Sequence, residues 1–190
     1  MAGFFQDLGA YAIDADRVGH ELIEPGYAAY QQIVERFGQD ILEPSGRIDR
    51  RKLGSKVFAD QQNLHLLNAI LHPPIIARVQ ELAAERLRRN PHAVVIIEAA
   101  LIFESHLDGA LRKVMVAWCR PDQQIERLMA KTGLTREEAE CRVQAQMSQQ
   151  EKRRRADFLI DCSGTLDQSR AQAEAIYLEL RRMMEAAQGA

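Results

Sequence analysis

Residues 94–104 read Val94-Val95-Ile96-Ile97-Glu98-Ala99-Ala100-Leu101-Ile102-Phe103-Glu104. A run of β-branched residues with no polar alternation is the pattern of a strand buried on both faces, as in a parallel sheet covered by helices. An acidic residue directly behind such a run lies where open α/β sheets present ligand-facing groups, outside the carboxyl ends of their strands. Working outward, comparable short runs occur at Tyr11-Ala12-Ile13-Asp14, Val114-Met115-Val116-Ala117-Trp118 and Phe158-Leu159-Ile160-Asp161. Helical patterning separates them. Strands alternating with helices predict an α/β fold of three layers around a parallel sheet.

The intervening segments carry their own punctuation. Phe4, Phe5 and Leu8 form a short apolar helical face that stops at Gly9. From Arg17 to Phe37 the spacing is helical, with a break at Pro25-Gly26, and Ser45-Gly46 marks a turn. Arg50–Phe58 and Gln62–Leu71 read as short helices, His72-Pro73-Pro74 as their end, and Ile75–Arg89 as a separate amphipathic helix. Pro121 opens a helix that Gly133 closes. Thr135 and Glu138 form a capping box at the start of the next one. A closing helix runs from about Leu166 to Met184.

Composition bounds the class. The 190 residues suit one domain with small inserted subdomains and carry 25 basic against 27 acidic residues, a net charge of −2. No overall basic field argues for nucleic acid or an anionic membrane. The basic runs Arg50-Arg51-Lys52 and Arg86–Arg89 read mainly as solvated helix faces; Lys152–Arg155 is the exception, because it closes the segment Arg127–Arg155 that suits a lid, although Arg153–Arg155 themselves read as solvated. Three cysteines, Cys119, Cys141 and Cys162, show no C-x-x-C pairing. They argue against a disulfide framework or a zinc site and fit a reducing cytosol. No apolar run approaches the roughly 18 residues of a membrane span.

Several polar residues stand at the predicted strand ends. Asp14 and Asp16 place two carboxylates behind the first strand, able to share a metal ion or a hydroxyl, while Asp14 serves equally well as a helix N-cap. His72 sits between an apolar helix and two prolines, a setting that by itself reads as structural. Glu98 and Glu104, taken alone, read as ordinary strand-end carboxylates, and Ser163-Gly164 as a turn.

Taken in order, Ile13-Asp14-Ala15-Asp16, Leu71-His72-Pro73, Glu98 to Glu104, Gln146, Lys152 and Ile160-Asp161-Cys162-Ser163-Gly164 are specific. Together they make the chain resemble dephospho-coenzyme A kinase from residue 1 to about residue 180. The resemblance implies a P-loop kinase-like fold over residues 1–190, with helical acceptor-binding and lid regions, the lid at about 127–155. It implies ATP-dependent, Mg²⁺-assisted phosphorylation of the 3′-hydroxyl of dephospho-coenzyme A, the last step of coenzyme A biosynthesis, in the cytoplasm. Asp16 would receive the hydroxyl proton, and Asp14 would support it or join the Mg²⁺ shell. His72, Glu98 and Glu104 would face the acceptor. Arg127, Arg142, Gln146 and Lys152 would supply lid and phosphate contacts, and Ser163 and Gly164 would lie near the adenine. The chain departs from the family pattern at Glu98 (usually Asp), Ala100 (Pro), Lys131 (often Arg) and Cys162 (Asn). Lys131 keeps the charge but loses the guanidinium fork. The Cys162 thiol cannot reproduce amide hydrogen bonds to a base.

A kinase of this type also needs a strand followed by G-x-x-x-x-G-K-[ST], whose backbone N–H groups and lysine hold the β- and γ-phosphates. These 190 residues contain no such motif. The expectation is therefore a family member lacking its first strand and loop, inactive on its own. The alternative is a non-catalytic paralogue that binds dephospho-coenzyme A or coenzyme A. A third reading, another P-loop kinase acting on a nucleoside or shikimate-like hydroxyl, is disfavoured by the Asp-Ala-Asp and His-Pro pairing.

Overall fold

The computed structural model describes residues 1–188. In chain order the elements are α1 (Ala2–Asp7), β1 (Tyr11–Asp14), α2 (Ala15–Leu22), α3 (Ala28–Phe37), α4 (Arg50–Phe58), α5 (Gln61–Arg89), β2 (Val95–Glu98), β3 (Met115–Trp118), α6 (Pro121–Thr132), α7 (Arg136–Gln144), α8 (Gln149–Arg155), β4 (Phe158–Asp161) and α9 (Leu166–Gln188), with 3-10 turns at Gln39–Ile41 and Leu107–Ala110. The fold is α/β. Its strands form two pairs, β1 with β2 and β3 with β4. By internal contacts the chain divides into two compact units, a first comprising residues 1–12 and 101–190 and a second comprising residues 13–100. Among the described residues no helix is long and apolar enough to cross a membrane.

In the second unit, Asp14 ends β1 and caps α2, its Oδ1 accepting the Arg17 N–H at 2.9 Å. Ala15, Val18 and Leu22, spaced three and four apart, give α2 one apolar face. That face packs with Ile75, Val79, Leu82 and Ala83 of α5 and with Val95 and Ile97 of β2. The approach is close at Gly19, where a Cβ would stand 3.0 Å from Ile75 Cδ1. A second cluster gathers Ile33, Phe37, Ile41, Ile48, Leu53 and Val57, covered by Leu64, Leu67, Ile70 and Leu71 from the N-terminal half of α5.

These two clusters explain a departure from the sequence reading. Gln62–Leu71 and Ile75–Arg89 are not separate helices; α5 runs unbroken through His72-Pro73-Pro74. Two prolines remove two helical N–H donors and crowd the preceding turn, at a cost of about 3 kcal/mol or more each in a free helix. Here the turns on either side are each fixed to a hydrophobic cluster, so packing maintains the helix that local propensity would end.

In the first unit, β3 and β4 pair in parallel, Met115 opposite Phe158 through Trp118 opposite Asp161. Ile160, the fully buried residue of β4, lies under α9, which also packs on α1. The side chain of Gln172 on α9 clasps the strand end, donating to the Asp161 carbonyl at 3.0 Å and accepting the Asp161 N–H at 2.9 Å. Gly133 closes α6 with φ +72°, a left-handed conformation suited to glycine. Thr135 and Glu138 form the reciprocal capping box at α7. Helix α8, capped by Ser148, was not evident from periodicity, because its residues Gln149–Arg155 are polar throughout.

Candidate functional site

The second unit gathers acidic side chains where β1 and β2 end. Asp16 lies in the first turn of α2 and stays open to solvent, yet its carboxyl is pushed above its ordinary value. Surrounding protein displaces enough water to disfavour the charge, and the carboxylates of Asp14 and Glu98 add repulsion. The charge of His20 and a hydrogen bond from the Ala100 backbone act in the opposite sense. Asp14, Asp16 and Glu98 thus share one neighbourhood, as the sequence suggested. Asp14 also has the helix-capping role that spacing allowed.

His72 lies half-buried within α5, not in a loop after a helix. It precedes Ile75 by one turn, and Ile75 is the residue in contact with Gly19 of α2. Hard carboxylate oxygens at Asp14 and Asp16 suit Mg²⁺, which takes one or two carboxylates and completes its shell with water and phosphate oxygens. Among the described residues no group of three or more His, Cys, Asp or Glu could form a full protein cage.

The first unit assembles a second set. Glu104 and Lys152 form a largely buried ion pair at 2.9 Å, with side chains 19% and 14% exposed. Glu104 Oε1 also accepts the Met147 N–H at 2.8 Å, while Oε2 is buried without a hydrogen-bond partner. Gln146 Oε1 stands 3.5 Å from Lys152 Nζ. Glu104, expected at the acceptor, therefore belongs with the expected lid residues Gln146 and Lys152, in a different unit from Glu98.

Arg153–Arg155, expected to be solvated, are exposed, and two of them also make specific contacts, whereas Lys152 is partly buried. Lys152 is paired as described; Arg153 stacks on Trp118 at 3.9 Å; and Arg155 binds Asp108 at 2.8 Å while lying 4.4 Å over Phe103. Arg154 conforms to the expectation, bonding within α8 to Glu151.

Arg127 and Arg142 are exposed on α6 and α7. Arg127 also hydrogen-bonds Cys119, whose thiol is raised by burial despite that contact. At the end of β4, Ser163 donates its N–H to Asp161 Oδ1 at 2.8 Å, accepts the Arg120 N–H at 3.2 Å on its hydroxyl and accepts the Gln123 side-chain amide at 3.1 Å on its carbonyl. Hydrogen bonding to Ser163 holds the Asp161 carboxyl below its ordinary value. Gly164 has no room for a Cβ beside Gln168 as placed. Ser163 and Gly164 thus lie at the carboxyl end of β4, beside the strand that ends in Trp118. Sequence reasoning missed Trp118 and His20; the signals available were the single tryptophan, placed at a strand end, and a histidine one helical turn after Asp16.

The chain is similar to known proteins over most of its length. A family model described as dephospho-CoA kinase matches residues 1–168. A dephospho-CoA kinase of Moorella thermoacetica is 41% identical over 182 residues, 96% of this chain and 86% of its own. One from Symbiobacterium thermophilum is 41% identical over 177 residues, 93% of this chain and 74% of its own. Among solved structures, a Thermus thermophilus protein superposes with a TM-score of 0.74 at 29% identity, covering 94% of this chain and 89% of that one. Dephospho-CoA kinase from Campylobacter jejuni gives 0.64 at 25% identity, covering 95% and 91%. The chain belongs to the dephospho-CoA kinase family.

Proposed function

We propose that this chain serves the transfer of the γ-phosphoryl group of ATP to the 3′-hydroxyl of dephospho-coenzyme A, with Asp16 as the base. The observation that carries the reading is the environment of Asp16. It is a carboxylate behind a strand end with its affinity for a proton raised by its surroundings and by two neighbouring carboxylates. A general base works best when its pKa moves toward the operating pH.

In the proposed step, Asp16 accepts the proton of the ribose hydroxyl as the hydroxyl oxygen bonds to the γ-phosphorus. The bond from that phosphorus to the β,γ-bridging oxygen breaks, and ADP leaves. Such transfer requires mainly positioning and neutralised phosphate charge. Asp14 orients the turn that presents Asp16 and, with it, would hold Mg²⁺. The ion would supply charge neutralisation for the phosphate oxygens. Arg127, Arg142 and Lys152 would donate to those oxygens, Gln146 would fix Lys152, and Ser163-Gly164 would lie against the nucleotide base. His72 and Glu98 would line the acceptor side. A reducing cytosol suits the unpaired thiols.

These 190 residues lack the G-x-x-x-x-G-K-[ST] segment, so they should turn over ATP and dephospho-coenzyme A very slowly unless joined to one. The test expresses the chain with and without an upstream strand and loop and follows 3′-phosphorylation. Turnover only in the extended form is expected; robust turnover by the short chain refutes the need for the loop. In the extended form, Asp16→Asn should lower kcat by about 10²–10⁴-fold with little change in KM. A variant keeping more than about half of kcat removes Asp16 as the base.

A further inference from the structure

The loop and helix start at residues 43–51, with Glu24, form an open concavity of about 450 Å³, lined by Glu24, Glu43, Arg47, Ile48, Asp49, Arg50 and Arg51. We propose that this cavity is the seat of the acceptor's diphosphate, with Arg50 and Arg51 as its anion-binding residues. The proposal rests on the reading of Asp16 as the group that meets the ribose hydroxyl.

The charges lining the cavity are not interchangeable. Arg47 is matched by Glu24, its guanidinium 2.7 Å from Oε2. Asp49 is committed to the backbone, accepting the Arg51 and Lys52 N–H groups at 2.9 and 3.2 Å. Glu43 accepts the Ser45 hydroxyl at 3.2 Å. The Arg50 guanidinium lies 3.2 Å from His20 Nε2, against an imidazole rather than a carboxylate. Among the described residues Arg50 and Arg51, adjacent at the start of α4, are the cations of this wall outside its Glu24–Arg47 ion pair, while Glu43 and Asp49 keep their negative charge beside them. Two guanidiniums side by side match a diphosphate, since each presents a planar fork of donors to phosphate oxygens.

Position selects which diphosphate. His20 follows Asp16 by four residues on α2, so the two side chains stand about 5–6 Å apart on one face. The link Asp16, His20, Arg50 thus leads in one helical turn from the base to the cavity mouth. In an adenosine 5′-diphosphate group, only C3′, C4′ and C5′ separate the reacting hydroxyl from the first phosphate ester oxygen. A ribose with its 3′-hydroxyl at Asp16 can place its 5′-diphosphate at Arg50 and Arg51. The cavity volume falls in the range of small-ligand sites.

The test titrates the 190-residue chain with dephospho-coenzyme A, adenosine and inorganic pyrophosphate by calorimetry, in wild type, in Arg50→Gln/Arg51→Gln and in Arg17→Gln as a control. Arg50, Arg51 and Arg17 are exposed, so each variant should fold, which circular dichroism checks. The double variant should weaken dephospho-coenzyme A and pyrophosphate by about ten- to a hundredfold, the range for charge-assisted hydrogen bonds. Adenosine, and every ligand in the control, should be unaffected. Unchanged dephospho-coenzyme A affinity in the double variant overturns the proposal, as does an equal loss for adenosine. If wild type binds pyrophosphate in an Arg50-dependent manner but does not bind dephospho-coenzyme A, the anion site stands and the acceptor reading fails. If wild type binds neither, both fail.

Discussion

Breaking the Glu104–Lys152 pair tests the core of the first unit. Lys152→Met removes the cation and leaves the Glu104 carboxylate, 19% exposed, with one oxygen bonded to the Met147 N–H and the other buried without a partner. Removing one member of a fully buried pair costs about 3–5 kcal/mol, and an exposed pair is worth at most about 1 kcal/mol. With both side chains mostly but not wholly covered, Lys152→Met is expected to cost about 2 kcal/mol. Glu104→Gln keeps an acceptor for the Met147 N–H and should cost about 1 kcal/mol. The double variant leaves no stranded charge, so its loss should fall short of the sum by about 1 kcal/mol or more. Urea unfolding reads these differences through Trp118, the only tryptophan, which lies in the same unit under Arg153. A 2 kcal/mol loss lowers the midpoint by about 1 M at the slope usual for small proteins. Additivity of the two single changes within about 0.5 kcal/mol refutes the reasoning.

Two further outcomes follow from local geometry. The Asp16 carboxyl is raised above its ordinary 3.8 in the folded chain, so between the two values the native state binds more protons than the unfolded state. Stability is therefore lost as pH rises through that window, and Asp16→Asn should raise the urea midpoint at pH 7, with the gain vanishing below pH 3.8. A lower midpoint at pH 7 would show that its charge is stabilising. Gly164→Ala should displace the Gln168 side chain, which accepts the Thr165 N–H at 2.9 Å while Gln168 donates its own N–H to the Thr165 hydroxyl at 3.2 Å. Loss of that reciprocal cap should cost about 1 kcal/mol and speed amide exchange in the first turn of α9; unchanged exchange at Thr165 and Gln168 would show that Gln168 finds another rotamer that preserves the cap.

What the sequence could reveal was whatever neighbouring residues decide. The four strands, the glycine stop at Gly133 and the Thr135–Glu138 box are set within a turn or two of chain, and all stand where periodicity and capping rules put them. The continuity of α5 was hidden because Pro73 and Pro74 argue locally for a stop, whereas the contacts that carry the helix through them come from α2, α3 and α4. The same separation hid the contacts of α8. Arg153 and Arg155 are exposed as their charge predicts, and nothing within α8 indicates that Glu104, Trp118 and Asp108 supply partners for Lys152, Arg153 and Arg155. The acidic group was legible for the opposite reason: Asp14 and Asp16 are close in sequence, and Glu98 is placed with them by a second strand that ends as theirs does.

That contrast has a physical consequence for where function is concentrated. The carboxylates of Asp14 and Glu98 repel that of Asp16, and folding holds them near it against that repulsion. The Glu104 and Lys152 pair does the reverse, since its members attract and stabilise the turn they join. A cluster that is strained in the absence of ligand gains from any cation or proton donor brought to it, which is the behaviour of a site that acts on a hydroxyl and a phosphate. An attracting pair gains nothing comparable, and the Lys152 ammonium, with three donors, can keep Glu104 while donating to a further acceptor. On the proposed function, Asp16 is the group whose proton affinity the fold already raises, whereas Lys152 would meet phosphate while still held by Glu104, and the coupling energy of that pair would set how firmly the cation is positioned.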